Sequence, residues 1–210
     1  ATLENRYNFY SDDVIFLKNE NILRSFSKSY VSDKNSKLYK FDEFEYNIKL
    51  DLLKAKNIEI ISENLLQNGF SDKAKFSEGM FKLNQKEFIA GYTEFFVKKN
   101  TLGRERNDPR LIGISSSRKN EIIEVKKGAF TSCAKNDDCP PWTIKADKIK
   151  HDLNKKQLIY EKAILEIYNK PVLYFPKFFH PDPSVKRQSG VLKPIFNNSE
   201  IIGSSFQIPY

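Results

Sequence analysis

Between Lys40 and Ile48 the chain reads KFDEFEYNI, and this alternation limits the fold more than any other feature of the sequence. A strand turns successive side chains to opposite faces. Phe44, Tyr46 and Ile48 therefore share one face, and Glu43, Glu45 and Asn47 share the other. Similar runs recur with polar turns between them. Tyr10 to Phe16 and Ile22 to Phe26 flank a turn at 19–21, and Phe76 to Leu83 and Phe88 to Val97 flank one at 84–86. Leu111 to Ser115 and Glu121 to Val125 flank 116–120, and Ile149 to Tyr160 folds back about 154–156. The expectation is an all-β protein of antiparallel hairpins. With 8 Gly against 17 Phe and 10 Tyr, large side chains fill its interior.

The hairpins form one weak repeat. Asp12, Asp42, Ser77 and Asp147 occupy equivalent places, each followed by an extended run, a polar turn and a second run, and Ala55, Ala90 and Ala163 lie at similar points of the second arms. Stacked units of this kind suit a β-roll or solenoid in which neighbours bury each other's faces. The stretch 49–66, KLDLLKAKNIEIISENLL, also admits an amphipathic helix, but its apolar spacing is mixed and it is rich in β-branched residues. The polar stretch 98–110, with Gly103 and Asp108-Pro109, reads as an exposed loop.

At 210 residues the chain holds one sizeable core, or one domain and a fragment of another. Its net charge of +8 suits an anionic partner, either nucleic acid or a phosphorylated glycolipid. With no block of five like charges and no nucleic-acid-binding motif, nucleic acid is not the expected partner. No apolar run is long enough for a transmembrane helix. The start at Ala1, without a basic and apolar leader, fits a mature exported protein or a cytosolic one.

The stretch Pro171 to Gly190, PVLYFPKFFHPDPSVKRQSG, holds four of the chain's nine prolines, at Pro171, Pro176, Pro181 and Pro183. Each fixes φ and lacks an N–H, so none fits the middle of a central strand. Val172 to Phe179 can still be an extended edge segment, and from His180 onward a stiff connector is expected. Beyond it, Val191 to Phe196 and Ile201 to Tyr210 form one more hairpin about 197–200.

The run PVLYFPKFFHPDPSVKRQSGVLKP resembles the junction of the LptD/OstA family of outer-membrane lipopolysaccharide (LPS) assembly proteins. The similarity extends upstream through Cys133, Cys139, Trp142, Ala146, His151-Asp152, Tyr160 and Ala163, and downstream to Gly203 and Pro209-Tyr210. It implies an OstA-like β-jelly roll over 1–170, an interdomain connector over 171–190, and the first two strands of a truncated transmembrane barrel over 191–210. His180, Pro181, Asp182, Pro183, Lys186 and Arg187 carry the connector in this reading. A closed barrel needs at least eight strands, so the chain reads as a fragment or as incomplete.

The resemblance also implies a function. An apolar groove receives LPS acyl chains from a periplasmic bridge protein and passes them to the barrel. The bridge adds a strand at the N-terminal edge, near residues 3–26. A plug lipoprotein for the barrel is a further possible partner, and the location is the outer membrane with this region on its periplasmic side. The groove residues expected from the alternation are Phe44, Tyr46, Ile48, Phe81, Leu83, Phe88, Ile149, Leu158 and Tyr160. The alternatives are a soluble periplasmic LPS-bridge protein, against which Val185 to Tyr210 argues, and a carbohydrate-active β-solenoid enzyme, which needs carboxylates clustered on one face.

No catalytic constellation, metal site or cofactor is expected. The chain lacks G-x-S-x-G, a Gly-rich phosphate loop and H-E-x-x-H, and it is not read as an enzyme. Cys133 and Cys139 are disulfide candidates, and a local bridge would contribute roughly 2 kcal/mol. In the family, jelly-roll cysteines also bond to cysteines beyond the barrel, so the pairing stays open. Zinc held by this pair with His151 and His180 finds no support in the spacing. His151 and His180 read as structural turn residues.

Overall fold

The computed structural model describes residues 2–3, 7–33, 37–61, 73–96, 108–133, 141–182, 185, 195–199 and 203–207. Among them the regular structure is all strand. The first part holds β1 (Thr2–Leu3), β2 (Tyr7–Ser11), β3 (Ile15–Leu17), β4 (Ile22–Ser25), β5 (Ser29–Asp33), β6 (Leu38–Phe41) and β7 (Glu43–Asn47). The middle holds β8 (Leu52–Ile61), β9 (Lys73–Lys82), β10 (Glu87–Ala90), β11 (Thr93–Phe96), β12 (Arg110–Gly113) and β13 (Ser115–Lys119). Longer strands follow: β14 (Ile122–Thr131), β15 (Trp142–Asp152), β16 (Gln157–Ile167) and β17 (Lys170–Pro181). These make one 17-stranded sheet, and β18 (Ile195–Ser199) and β19 (Gly203–Gln207) pair as a separate two-stranded sheet.

The sheet is a stack of antiparallel rungs, each bent once. The first half of β8 pairs with β7, through Leu53 opposite Tyr46 and Ala55 opposite Phe44, and its second half pairs with β6, through Ile60 opposite Tyr39. At the bend Lys56 and Asn57 both face outward, so the inward parity changes from Leu53 and Ala55 to Ile58. The register with β6, β7 and β9 runs through unshifted, so no residue is inserted, and the corner itself bends the strand and exchanges its faces. Asn57 takes the left-handed conformation, with φ of 48°, and its Nδ2 donates to Asp42 Oδ2 at 2.7 Å. The Asp42 N–H donates to the Lys56 carbonyl.

The same device recurs up the stack. Ser77 and Glu78 in β9 and Lys126 and Lys127 in β14 face outward in pairs. Asp147 and Lys148 separate buried Ala146 from buried Ile149, and Glu161 and Lys162 separate buried Tyr160 from buried Ala163. At the N-terminal corner Asp13 accepts from the Ser25 and Ser27 hydroxyls, which hold its carboxyl below the usual carboxylate range. Three residues of the sequence repeat, Asp42, Ser77 and Asp147, are therefore corner residues.

Bending brings two wings face to face around one interior. Ring pairs span the bend: Phe41 with Phe44 at 6.1 Å, Phe76 with Phe88 at 5.5 Å, and Phe175 with Phe178 at 5.2 Å between centroids. The corner column is lined by small residues, which let the wings approach. Ala55 and Ala90 both lie opposite Gly79, and Ala146 lies opposite Gly128 and Ala163. A Cβ at Gly113 would sit 2.2 Å from Val125 Cγ1. The outer faces carry cross-strand ion pairs instead, such as Lys40 and Lys73 to Glu59, and Arg24 and Lys54 to Glu45. Lys73, then Lys40, holds the Glu59 carboxyl below its ordinary value.

The expected all-β class is observed. In detail, several segments differ from the alternation. The run Lys40 to Ile48 is two strands with a corner at Asp42, and Ser116 to Lys119 are strand, with the turn moved to Asn120 and Glu121. The stretch 49–66 contains β8, not a helix, and its mixed spacing is the parity change at Lys56 and Asn57. Residues 171–181 of the expected connector belong to β17, which pairs along its length with β16. Its prolines are tolerated because no described strand pairs with its other side, and Pro176 falls opposite the corner residue Lys162, between the pairs Glu161–Lys177 and Ala163–Phe175.

Candidate functional site

Midway along the stack the wings do not close completely. A cleft of about 170 Å³ lies between them, with apolar walls of Ile60, Ala74, Phe76, Phe81, Leu83, Phe88, Phe95 and Ile123. Phe76 is the hub. Its ring meets Phe81 at 5.9 Å, Phe88 at 5.5 Å and Phe95 at 5.7 Å, all three close to edge-on. Edge-to-face rings pack firmly while leaving an irregular boundary, unlike a filled stack. Lys37, Lys82, Lys86 and Arg118 stand around the cleft with one carboxylate, Glu87. Arg118 also reaches Glu121 at 3.3 Å. An apolar slot with a cationic border takes an amphiphile: the slot covers hydrocarbon, and the border meets anionic groups that stay in water.

The expected groove residues fall in four places. Phe81, Leu83 and Phe88 line the cleft. Phe44, Ile149, Leu158 and Tyr160 lie in the closed core, with Leu158 and Tyr160 fully buried. Tyr46 packs partly buried against that core and donates its hydroxyl to Asp51 Oδ1 at 2.9 Å. Ile48 departs from the stripe: β7 ends at Asn47, and Ile48 sits in the turn, 39% exposed. Sequence reading missed Phe76, Phe95, Ile60 and Ile123, because the corner at Ser77 and Glu78 puts Phe76 on the same face as odd-numbered Phe81. The doublet of large apolar residues on either side of an out-of-phase polar pair was the available signal.

The far end of the stack is filled. Tyr160 stacks on Phe178 at 4.5 Å with 11° between planes, and burial pushes its phenol far above the ordinary value. His180 and Asp182, placed in the expected connector, enter this interior. Tyr160 donates its hydroxyl to His180 Nε2 at 2.9 Å while His180 Nδ1 donates to the Pro181 carbonyl at 2.7 Å. Asp182 is 3% exposed and its Oδ2 lies 2.5 Å from Nε2 of His151 in β15. Both histidines are thus inward groups of the roll and not surface turn residues. Their neighbours explain this, since β17 carries its inward stripe from Phe178 on to His180 and Asp182. Pro183, Lys186 and Arg187 lie outside the described residues.

Cys133 is a half-buried free thiol whose Sγ lies 3.8 Å from the Trp142 carbonyl, and Cys139 lies outside the described residues. The structure shows no disulfide at Cys133.

No protein-family model matches the chain. Among curated proteins, the chain is 32% identical over 91 residues to the LPS-assembly protein LptD of Polaromonas sp., covering 42% of this chain and 11% of that protein. The LptD of Legionella pneumophila strain Paris is 36% identical over 91 residues, with 43% of this chain and 10% of that protein covered. The LptD of Hahella chejuensis is 29% identical over 133 residues, with 62% and 15% covered. The matched part therefore spans about a tenth to a seventh of these relatives' length. Taken with the all-β roll and the junction residues, these comparisons show what the chain is similar to: over 42% to 62% of its length it resembles the LPS-assembly proteins LptD.

Proposed function

We propose that this chain is the periplasmic jelly roll of an outer-membrane LPS-assembly protein, and that the cleft between its wings carries LPS acyl chains toward a barrel that the β18–β19 hairpin begins. The observation that carries this reading is the apolar cleft with its border of Lys37, Lys82, Lys86 and Arg118. Exposing a chain of twelve to fourteen carbons to water costs about 0.8 kcal/mol per methylene, hence roughly 10 kcal/mol per chain. A periplasmic route therefore needs continuous apolar cover, while the phosphorylated sugars stay hydrated beside the cations. The domain division follows in modified form. The roll extends to Pro181, the connector starts at Asp182, and the barrel starts beyond residue 190.

The N-terminal rungs are the proposed docking edge for a periplasmic bridge protein, which adds a strand beside β3. A plug lipoprotein would belong to the barrel. The chain acts as a carrier surface and performs no chemistry, and movement is driven from elsewhere. Cys133 and Cys139 are proposed to be oxidised in the mature protein, either with each other or with cysteines of another region.

Site-specific photocrosslinking in LPS-producing cells tests the cleft. Probes at Phe81, Leu83 and Phe88 are expected to capture LPS, whereas probes at Met80 and Ile89, exposed on the outer faces of the same rungs, are not. Equal capture from both faces overturns the reading.

A further inference from the structure

We propose that Asp182, His151, Tyr160 and His180 form a latch that fixes the direction in which the chain leaves the roll. Three separate contacts converge on Asp182. Its N–H donates to the Lys156 carbonyl in the β15–β16 turn at 2.9 Å, and its carboxylate meets His151 Nε2 at 2.5 Å. Its own carbonyl accepts from the Val185 N–H at 2.9 Å. Two residues earlier, His180 is held by the Tyr160 hydroxyl on one ring nitrogen and by the Pro181 carbonyl on the other. The Phe130 ring lies 6.0 Å from the His180 ring and the Phe178 ring 6.4 Å from it.

This is an expensive way to end a strand if stability were the only result. Burying polar groups recovers little more than their own desolvation cost, and an apolar pair of the same volume would hold the last rung as well. A polar pair differs in geometric demand. Hydrophobic contacts tolerate small rotations, whereas a polar contact such as that of Asp182 with His151 depends on direction, and leaving either group buried alone is costly. Asp182 also directly follows the end of the rung, since β17 ends at Pro181. The four polar groups thus convert the position of the β15–β16 hairpin into the orientation of whatever follows Asp182. The inference rests on this geometry and is independent of the lipid-carrying role.

Hydrogen–deuterium exchange on the full chain, without LPS, tests it. The Asp182→Asn and His151→Gln variants, and the double variant, are each expected to raise exchange of amides 178–185 by about tenfold or more. The double variant should add little to either single one, because both remove the same contact. Amides of β8 and β9 keep their wild-type protection. Unchanged exchange at 178–185 overturns the latch, and so does a loss of protection spread evenly over the sheet, which marks ordinary core packing. Should those variants fail to fold, Tyr160→Phe removes only one hydroxyl. Faster exchange confined to 180–182 at an unchanged unfolding temperature supports the latch, and wild-type exchange there contradicts it.

Discussion

The middle of the roll and its C-terminal end are built from the same bent rung, yet one is open and the other closed. In the middle, Phe81, Phe88 and Phe95 surround Phe76 edge-on and leave a cleft of about 170 Å³. At the end, Tyr160 stacks on both Phe178 and His180, and Leu158 is fully buried. The corners are alike, so the bend does not set the difference. It comes from side-chain geometry at the interior positions, and from polar groups that appear where the stack must stop.

The largest expected effect separates the two regions by truncation. Leu158→Ala opens a cavity in the closed end and should destabilise the roll by about 2–5 kcal/mol in chemical denaturation. Phe88→Ala widens a cleft that already exists and should cost about 1–2 kcal/mol. Equal losses would mean that the cleft is packed like the core. Next in size is Gly113→Ala at the corner. Its new Cβ meets Val125 Cγ1 and the Lys126 carbonyl, and overpacking of this kind costs about 1–3 kcal/mol. A neutral outcome in thermal unfolding would show that the wings separate easily at that corner.

Smaller effects sharpen the picture. Lys86, in the turn beside the cleft, has φ of 55°, so Lys86→Gly relieves a conformation that disfavours a side chain. It should leave stability unchanged or raise it by up to about 1 kcal/mol, while removing one cation from the cleft border. The smallest effect is on pH dependence at the closed end. Burial holds His180 below its ordinary value of 6.5, with the Pro181 carbonyl and Asp182 opposing. The unfolded chain then binds the extra proton, so this stability is complete above about pH 6.5 and is lost as pH falls through the lower folded value. In His180→Phe the slope of stability against pH should flatten in that acid window, and an unchanged slope excludes His180 as its source.

Much of this was legible in the sequence, and the failures share a cause. The alternation at Phe44 and Tyr46 identified strands and their inward face, because a straight strand keeps its parity. Each corner resets that parity, and no residue type announces one when Asn, Ser and Lys all serve there. Phe76 and Phe95 were therefore left out of the stripe that included Phe81 and Phe88, although all four line the cleft. Ile48 was included because the alternation continues in letters after the strand has ended. Asp182 and His151 lie far apart in sequence, and the prolines around Asp182 read as a connector. Only the pairing of β17 along β16 turns that segment inward.

The central claim is that the middle cleft, and not the closed end, receives an acyl chain. Titrating the isotopically labelled chain with LPS that bears a spin label on one acyl chain measures this directly. Methyl signals of Ile60, Leu83 and Ile123, which line the cleft, should broaden, while those of Ile149 and Leu158 in the closed core keep their intensity. Broadening confined to outward-facing Ile89 and Ile114, or equal at Leu158 and Leu83, would contradict the account.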